Sequence, residues 1–161
     1  MTEFSHVDEK GNVKMVDVTN KLLTFRVAKA EGKINMRPGT IARIKDGELP
    51  KGNVLNTAKI AGIQAAKKTS DIIPLCHQLN LSFVDIEFEF KSNSIWVRST
   101  VKTKESTGVE MEALSAVSIA LLTIYDMCKA VDKAITIEDI KLLHKSGGKS
   151  GTFNAPQHDP S

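Results

Sequence analysis

An acidic and a basic side chain lie three residues apart in a long, mostly apolar segment in the second half of the chain. If that segment is a helix, the carboxylate of Asp126 and the ammonium group of Lys129 can meet. A pair of this kind facing a pocket could move a proton, because each charge changes the pKa of the other. The same spacing is also typical of a solvated helix face with a weak ion pair. Both residues are therefore candidate catalytic residues, and a surface role stays open.

A second candidate is the loop Leu75-Cys76-His77, which lies between a predicted helix and a predicted strand. Loops at the ends of elements often carry function, and His77 could position a substrate or transfer a proton, or it could be a surface histidine. Adjacent residues do not readily chelate one ion, and no spaced Cys or His cluster accompanies the pair. We therefore predict no metal site. Two cysteines are too few for a disulfide framework and are typical of free thiols in a reducing compartment.

Two basic segments could bind phosphate. Residues 144–151, HKSGGKSG, form a Gly/Ser loop that carries Lys145 and Lys149. It is not a P-loop, because Leu143 stands where the first glycine is required and no helix is predicted to follow. Its amides and ammonium groups could close over phosphates, or they could form a solvated basic tail. Lys51 precedes a predicted helix start at Asn53, and a helix N-terminus also favours an anion.

Hydrophobic periodicity predicts the elements that must position these residues. Strands are predicted at 15–18 and in parts of 22–36, a short helix at 40–45 and a helix from Val54 to about Lys68 capped by Asn53. A hairpin follows, with an apolar phase shift that indicates a bulge near Phe83. A capping box at residues 107–110 is predicted to open a helix that runs to about residue 131, and a last strand begins near residue 135.

The order strand, helix, strand, strand, helix, strand predicts an α+β fold of the ferredoxin-like split βαβ type, with additions at the N-terminus. Both helices should cover one face of an antiparallel sheet. The opposite face is partly apolar, so we expect an oligomer. Length predicts one domain over residues 1–161, with flexible ends at about 1–12 and 146–161, where polar, Gly and Pro residues dominate.

Composition limits the classes of function. The net charge of +3 does not argue for nucleic acid as a partner. The apolar stretch at 113–125 is interrupted by Ser115, Ser118 and Thr123 and is predicted to be too short and too polar to span a bilayer. The first ten residues carry three acidic groups and no apolar core, so they do not have the pattern of a signal peptide. We therefore expect a cytoplasmic protein without a membrane partner.

Several of these segments together resemble cyclic pyranopterin monophosphate synthases, the MoaC family of molybdenum cofactor biosynthesis. The similarity runs from about residue 4 to residue 153, and the stretch at 124–130 is the most specific part of it. The segments that carry the resemblance are MVDV at 15–18, KGNV at 51–54, AKIAGIQAAK at 58–67, IPLCH at 73–77, GVEMEAL at 108–114, LTIYDMCKA at 122–130 and KSGGKSG at 145–151.

The resemblance implies a lyase that converts 3′,8-cyclo-7,8-dihydroguanosine 5′-triphosphate to cyclic pyranopterin monophosphate with release of pyrophosphate. It implies a ferredoxin-like fold and a homohexamer, a trimer of dimers with each site at a dimer interface. No cofactor is implied, although Mg²⁺ could accompany the substrate triphosphate. Ring opening and re-closure require protons to be delivered and removed, which fits general acid/base catalysis.

Residue roles follow from the same resemblance. Asp126 corresponds to the general acid/base, with Lys129 beside it. The remaining matches are substrate-binding: the loop Leu75, Cys76 and His77; the segment Glu110, Met111 and Glu112; Lys67, whose role is less defined; and, for the triphosphate, Lys51, Arg26, Lys145 and Lys149.

Two other classes remain open on the residues alone. A ferredoxin-like RNA-binding module would need aromatic residues on central strands for base stacking. Trp96 is the only tryptophan, and Tyr125, the only tyrosine, falls on a predicted helix. A ligand-binding oligomer without turnover would bind the triphosphate without releasing pyrophosphate.

Overall fold

The computed structural model describes residues 4–156, and within them the chain folds as a five-stranded antiparallel sheet with helices on one face. The strands are β1 Thr24–Asn35, β2 Leu81–Phe90, β3 Ser94–Glu105, β4 Thr136–Ser146 and β5 Phe153–Asn154. The helices are α1 Pro38–Lys45, α2 Val54–Lys67, α3 Thr69–Ile72 and α4 Glu110–Cys128.

The strand order β2-β3-β1-β4-β5 is that of a split βαβ fold, because β1 lies between β3 and β4 in the middle of the sheet. This arrangement confirms the predicted α+β class. The N-terminal segment before β1 and helix α1 after it are additions to the ferredoxin-like core. A register shift between Leu81 and Phe83 confirms the bulge that the phase change in the sequence predicted.

The core lies between the sheet and the pair α2 and α4. Alternate residues of β1 and β3, among them Ala28, Ala30, Val97 and Val101, are fully buried beneath the helices. The small residues of α2 allow a close approach to α4: a Cβ on Gly62 would lie 2.8 Å from the carbonyl oxygen of Ala116. The two helices therefore pack almost backbone to backbone.

Helices α2 and α4 run antiparallel. Gly62, past the middle of α2, packs against Ala116 and Ala120 around the middle of α4. Lys51, just before α2, contacts Asp126 near the end of α4. The start of one helix therefore lies beside the end of the other, and this pairing decides which of the predicted site residues can meet.

Three local predictions were wrong. Residues 15–18 do not form a strand; they lie in the segment before β1, where the carbonyl of Val16 contacts Nε2 of His77. The predicted capping box does not form: the N-cap of α4 is Val109 without a side-chain hydrogen bond, and Glu110 contacts Lys145 instead. Helix α4 ends at Cys128, not near residue 131, because the amides of Val131 and Asp132 both donate to the carbonyl of Cys128 in a turn.

The ends of the chain contain more hydrogen-bonded backbone than the sequence indicated. Strand β5 lies inside the predicted flexible segment 146–161 and pairs with His144 and Lys145 of β4. Val7 and Val13 form a bridge that closes a loop stabilised by the carboxylate of Asp8. The flexibility of both ends remains a prediction, and residues 1–3 and 157–161 of those ends lie outside the described residues.

The apolar stretch at 113–125, predicted to be too short and too polar to span a bilayer, belongs to the longer helix α4. Within the described part of the chain it is long and apolar enough to cross a membrane by length and composition alone. Half of that window is buried against the protein's own sheet and helix α2, as is typical of a core helix. Its hydrophobicity is explained by that packing, because Ala120, Leu121 and Ile124 are fully buried.

Candidate active site

Two ammonium groups and one carboxylate form a cluster at the C-terminal end of α4. The Nζ of Lys51 lies 3.1 Å from Oδ2 of Asp126 and also donates to the backbone carbonyl of Asp126 at 3.2 Å. The Nζ of Lys129 donates to Oδ1 of the same carboxylate at 2.5 Å. All three side chains are about half exposed, so they can meet a ligand without rearrangement of the core.

The cluster sets the protonation state of Asp126. Hydrogen bonds from Lys129 and then Lys51, together with their positive charges, lower the pKa of Asp126 below its ordinary value. The carboxyl group is therefore ionised at neutral pH. In this state Asp126 can accept a proton, whereas the two lysines are the groups that can donate one.

The loop at residues 75–77 lies at the opposite end of α4. The Nε2 atom of His77 lies 2.6 Å from the carbonyl oxygen of Val16, in the segment before β1. A carbonyl only accepts hydrogen bonds, so Nε2 must carry the hydrogen. The neutral imidazole then has its free lone pair on Nδ1, which is the atom that can accept a proton or a substrate hydrogen bond.

Two carboxylates in the first turn of α4 face different surroundings. Glu110 is partly exposed and its Oε1 lies 3.4 Å from the Nζ of Lys145. Glu112 is only 4% exposed, and burial raises its pKa to about 7. A cleft of about 310 Å³ brings Glu112 together with Cys76, His77 and Met111.

In the same cleft, burial and, to a smaller extent, the negative charge of Glu112 raise the pKa of the Cys76 thiol. This cysteine is therefore not an activated nucleophile.

A basic cleft of about 810 Å³ adjoins that site and shares Lys21, Thr107, Gly108 and Glu110 with it. Three of the predicted phosphate-binding residues line it: Arg26, Lys145 and Lys149. The guanidinium of Arg26 donates to the carbonyls of Glu105 and Ser106, which fixes its orientation.

The Gly/Ser loop closes tightly over this arginine. A Cβ on Gly148, where φ is +83°, would lie 2.3 Å from Nη1 of Arg26. Lys145 is held from both sides, because its Nζ also donates to Oγ of Ser150 at 3.0 Å. The loop is therefore ordered around two cations, which fits an anion site better than a solvated tail.

Sequence reasoning missed several residues of these clefts. Lys21 lines both of them and adds a cation beside Arg26 and Lys145, and Val16 supplies the carbonyl that orients His77. Lys21 belongs to no motif, and Val16 lies in the predicted strand 15–18, so no sequence pattern indicated a place in a cleft for either residue. Lys67, which the sequence predicted as a binding residue, lies exposed in the last turn of α2, at the same end of α4 as His77.

The predicted site residues therefore form two groups rather than one. Lys51, Asp126 and Lys129 lie at the end of α4, and the other predicted residues lie around its beginning. With about 1.5 Å of rise per residue, α4 separates Glu112 from Asp126 by roughly 21 Å. One chain does not bring Asp126 and His77 together.

The described part of the chain holds no group of three or more His, Cys, Asp or Glu side chains arranged to bind a metal ion. Cys76 and Cys128 are both free.

Comparison with known proteins gives one consistent result. Residues 15–148 match the family model described as the MoaC family, and this range includes both groups of site residues except Lys149. A cyclic pyranopterin monophosphate synthase from Desulfatibacillum aliphaticivorans is 57% identical over 95% of this chain and 98% of its own length. A protein of the same name from Novosphingobium aromaticivorans is 54% identical over 98% of this chain and the whole of its own.

A longer relative shares the same segment. A molybdenum cofactor biosynthesis bifunctional protein from Chlorobaculum tepidum is 66% identical over 92% of this chain, and this chain spans about half of its length.

Proposed function

The chain belongs to the MoaC family, and from that membership we propose how its residues act as a cyclic pyranopterin monophosphate synthase. It is a lyase of molybdenum cofactor biosynthesis. It converts 3′,8-cyclo-7,8-dihydroguanosine 5′-triphosphate to cyclic pyranopterin monophosphate with release of pyrophosphate. The observation that carries the assignment of roles is the Lys51–Asp126–Lys129 cluster, in which a carboxylate is kept ionised between two ammonium groups.

In this proposal Asp126 accepts protons and the neighbouring ammonium groups return them. The ring system must be opened and rebuilt, and each step removes a proton at one atom and delivers one at another. The contacts of Asp126 with Lys51 and Lys129 form a short path for such exchange. No redox cofactor is needed for proton transfers of this kind.

The other group of residues binds the substrate. Arg26, Lys145 and Lys149 neutralise the triphosphate in the basic cleft and stabilise the charge that develops as pyrophosphate leaves. Mg²⁺ could enter with the triphosphate and share that task. Glu110 and Glu112 accept hydrogen bonds from the amino-bearing edge of the ring, while Leu75, Cys76, His77 and Met111 enclose it. Lys67 contributes a further positive charge at this end of α4.

A complete site requires a second copy of the chain. The substrate cannot touch both groups across roughly 21 Å of one helix. A two-fold axis beside the middle of α4 would instead place the Asp126 end of one copy next to the His77 end of the other. This reasoning supports the expected dimer interface site, and the homohexamer, a trimer of such dimers, remains part of the proposal.

Nucleic acid and membranes are not partners in this proposal, and the protein is placed in the cytoplasm. The ring of Trp96, the aromatic residue that an RNA-binding module would use on a central strand, is covered by Lys33 with Nζ 5.5 Å from the ring centroid.

The direct test is incubation of the purified protein with the cyclised triphosphate, followed by assay of pyrophosphate and of the oxidised, fluorescent pterin. Both products should form together. Binding of the triphosphate without either product would support the ligand-binding alternative and contradict the proposed lyase.

The shared site has its own test. Asp126→Asn and His77→Ala subunits should each be inactive as homo-oligomers. If the site is shared by two copies, co-expression should restore about a quarter of the sites, because half of randomly paired dimers are mixed and each mixed dimer has one intact site. Absence of restored turnover in verified mixed oligomers would contradict the shared site while leaving the reaction itself untouched.

A further inference from the structure

A buried carboxylate that takes no part in the proposed chemistry lies just beyond the end of α4. The side chain of Asp132 is fully buried. Its Oδ2 accepts hydrogen bonds from the amide of Arg37 and from Oγ1 of Thr40, both at 2.9 Å, and its Oδ1 accepts one from the amide of Ala134 at 3.1 Å. Every oxygen of this group therefore has a hydrogen-bond donor.

These hydrogen bonds join three elements at one point. The amide of Asp132 donates to the carbonyl of Cys128, the last residue of α4. Arg37 is the N-cap of α1 and Thr40 lies in its first turn, whereas Ala134 leads into β4. A side-chain donor of Arg37 also reaches the carbonyl of Val131. The start of α1 and the end of α4 are thus held against each other by one carboxylate.

The same two elements carry the catalytic cluster. Lys129 is the C-cap of α4, three residues before Asp132. Lys51 lies on the loop that connects α1 to α2, so the placement of α1 sets where this loop reaches Asp126. Because the cluster itself is about half exposed, packing does not hold its side chains in place. Their geometry depends on the backbone segments that present them.

We propose that Asp132 is a positioning residue that fixes the Lys51–Asp126–Lys129 cluster by joining the start of α1 to the end of α4. The proposal rests on the function proposed above. Burial raises the pKa of Asp132, but the hydrogen bonds from Arg37, Ala134 and Thr40 and the positive charge of Arg37 together outweigh it and lower the pKa below its ordinary value. Both oxygens of Asp132 therefore act as hydrogen-bond acceptors. An amide at this position would place an NH₂ group against a hydrogen-bond donor.

The test compares Asp132→Asn and Thr40→Val with Thr40→Ser, which keeps the hydroxyl, and with Ile86→Val, a core substitution between α2 and β2 that lies in no site. We expect kcat to fall by roughly 10- to 100-fold in Asp132→Asn and less in Thr40→Val, with KM changed less than about two-fold, because misplaced catalytic groups slow the chemical step. Thr40→Ser and Ile86→Val should retain kcat.

A second readout does not depend on turnover. The charged groups that contact Asp126 in the described part of the chain are Lys51 and Lys129, and their contacts keep its pKa low. In Asp132→Asn the carboxyl resonance of Asp126, followed by NMR against pH, should titrate at a higher pH than in the wild type. Thr40→Val supplies the same comparison if Asp132→Asn does not fold.

The outcomes separate the two proposals. If the wild type makes no pterin but the Asp126 titration shifts as expected, the proposed function fails and the positioning role stands. If Asp132→Asn or Thr40→Val merely lowers the melting temperature, as Ile86→Val does, and leaves kcat and the Asp126 titration at wild-type values, the positioning role is overturned.

Discussion

The Nζ atom of Lys51 lies 3.1 Å from Oδ2 of Asp126, although 75 residues separate the two in the chain. The contact exists because α2 and α4 pack antiparallel, which places the residue before one helix beside the last turn of the other. Lys129 approaches the same carboxylate from its own helix. The pair therefore joins the two long helices at a point that faces solvent and not the core.

Removal of any member of this cluster should abolish turnover and leave the fold intact. For Lys51→Ala, Asp126→Asn and Lys129→Ala we expect a loss of roughly 100-fold or more in kcat, because proton transfer loses a partner. Pterin fluorescence after oxidation measures the effect, and size-exclusion chromatography checks the oligomer.

Lys133→Ala is the matched control, since Lys133 is exposed nearby and makes no ion pair with another described residue. Near-normal turnover in any of the three variants would refute the role of that residue.

Glu112 should make the stability of the protein depend on pH. Burial raises its pKa from 4.5 to about 7 in the folded state, so the folded protein binds more protons than the unfolded chain between these values. Stability should therefore fall as pH rises from about 4.5 to 7, by no more than about 3 kcal/mol. Glu112→Gln removes the ionisation, so it should be more stable than the wild type at pH 8 and similar to it at pH 5.

Urea denaturation of both proteins at the two pH values measures this difference, and Glu110→Gln is the matched control from the same helical turn. An equal difference in unfolding free energy between wild type and Glu112→Gln at pH 5 and pH 8 would show that Glu112 does not titrate in this range.

Sequence patterns correctly predicted those features that depend only on residues close together in the chain. The alternation of apolar residues in β2 and β3 identified the hairpin and even the bulge at Phe83, because side-chain direction in a strand has a period of two. Asn53 caps α2 as predicted, with its side chain accepting from the amide of Asn56. Asp126 and Lys129 were predicted to meet from their spacing alone, and they do.

Features that depend on contacts between residues far apart in the chain could not be predicted from such patterns. Thr107 and Glu110 have the spacing of a capping box, yet Glu110 forms an ion pair with Lys145 from β4 and the box is not made. Residues 15–18 have the composition of a strand but pair with no strand, and the carbonyl of Val16 contacts the ring of His77 instead. The separation of the site residues into two groups follows from the length of α4 and was not visible in any motif.

Gly62 should be intolerant of any side chain. A Cβ there would lie 2.1 Å from Cδ1 of Ile86 and 2.8 Å from the carbonyl oxygen of Ala116, so α2 and α4 would have to move apart. We expect Gly62→Ala to lower the free energy of unfolding by about 1–3 kcal/mol, measured by urea denaturation. Ile86→Val removes the Cδ1 atom and should recover part of that loss in the double variant.

The recovery should be partial, because the clash with the backbone of α4 remains. Gly39→Ala is a control at a glycine where a Cβ meets no atom within 4 Å. Stability losses that simply add in the Gly62→Ala, Ile86→Val double variant would mean that Ile86 is not the residue that excludes a side chain at position 62.

Lys145 and Lys149 should bind the triphosphate and contribute unequally. Lys145 is already held in place by Glu110 and Ser150, whereas Lys149 lies on the exposed part of the loop. Less ordering is therefore required when Lys145 engages a phosphate, and Lys145→Ala should weaken binding more than Lys149→Ala. The double variant should weaken it further, by at least 10-fold in Kd, measured by calorimetry with a non-reacting analogue of the triphosphate.

Lys141→Ala, which removes a cation from the same strand on the opposite face of the sheet, controls for net charge. An equal loss of affinity in Lys141→Ala and in the double variant would mean that overall charge, and not the Gly/Ser loop, attracts the triphosphate.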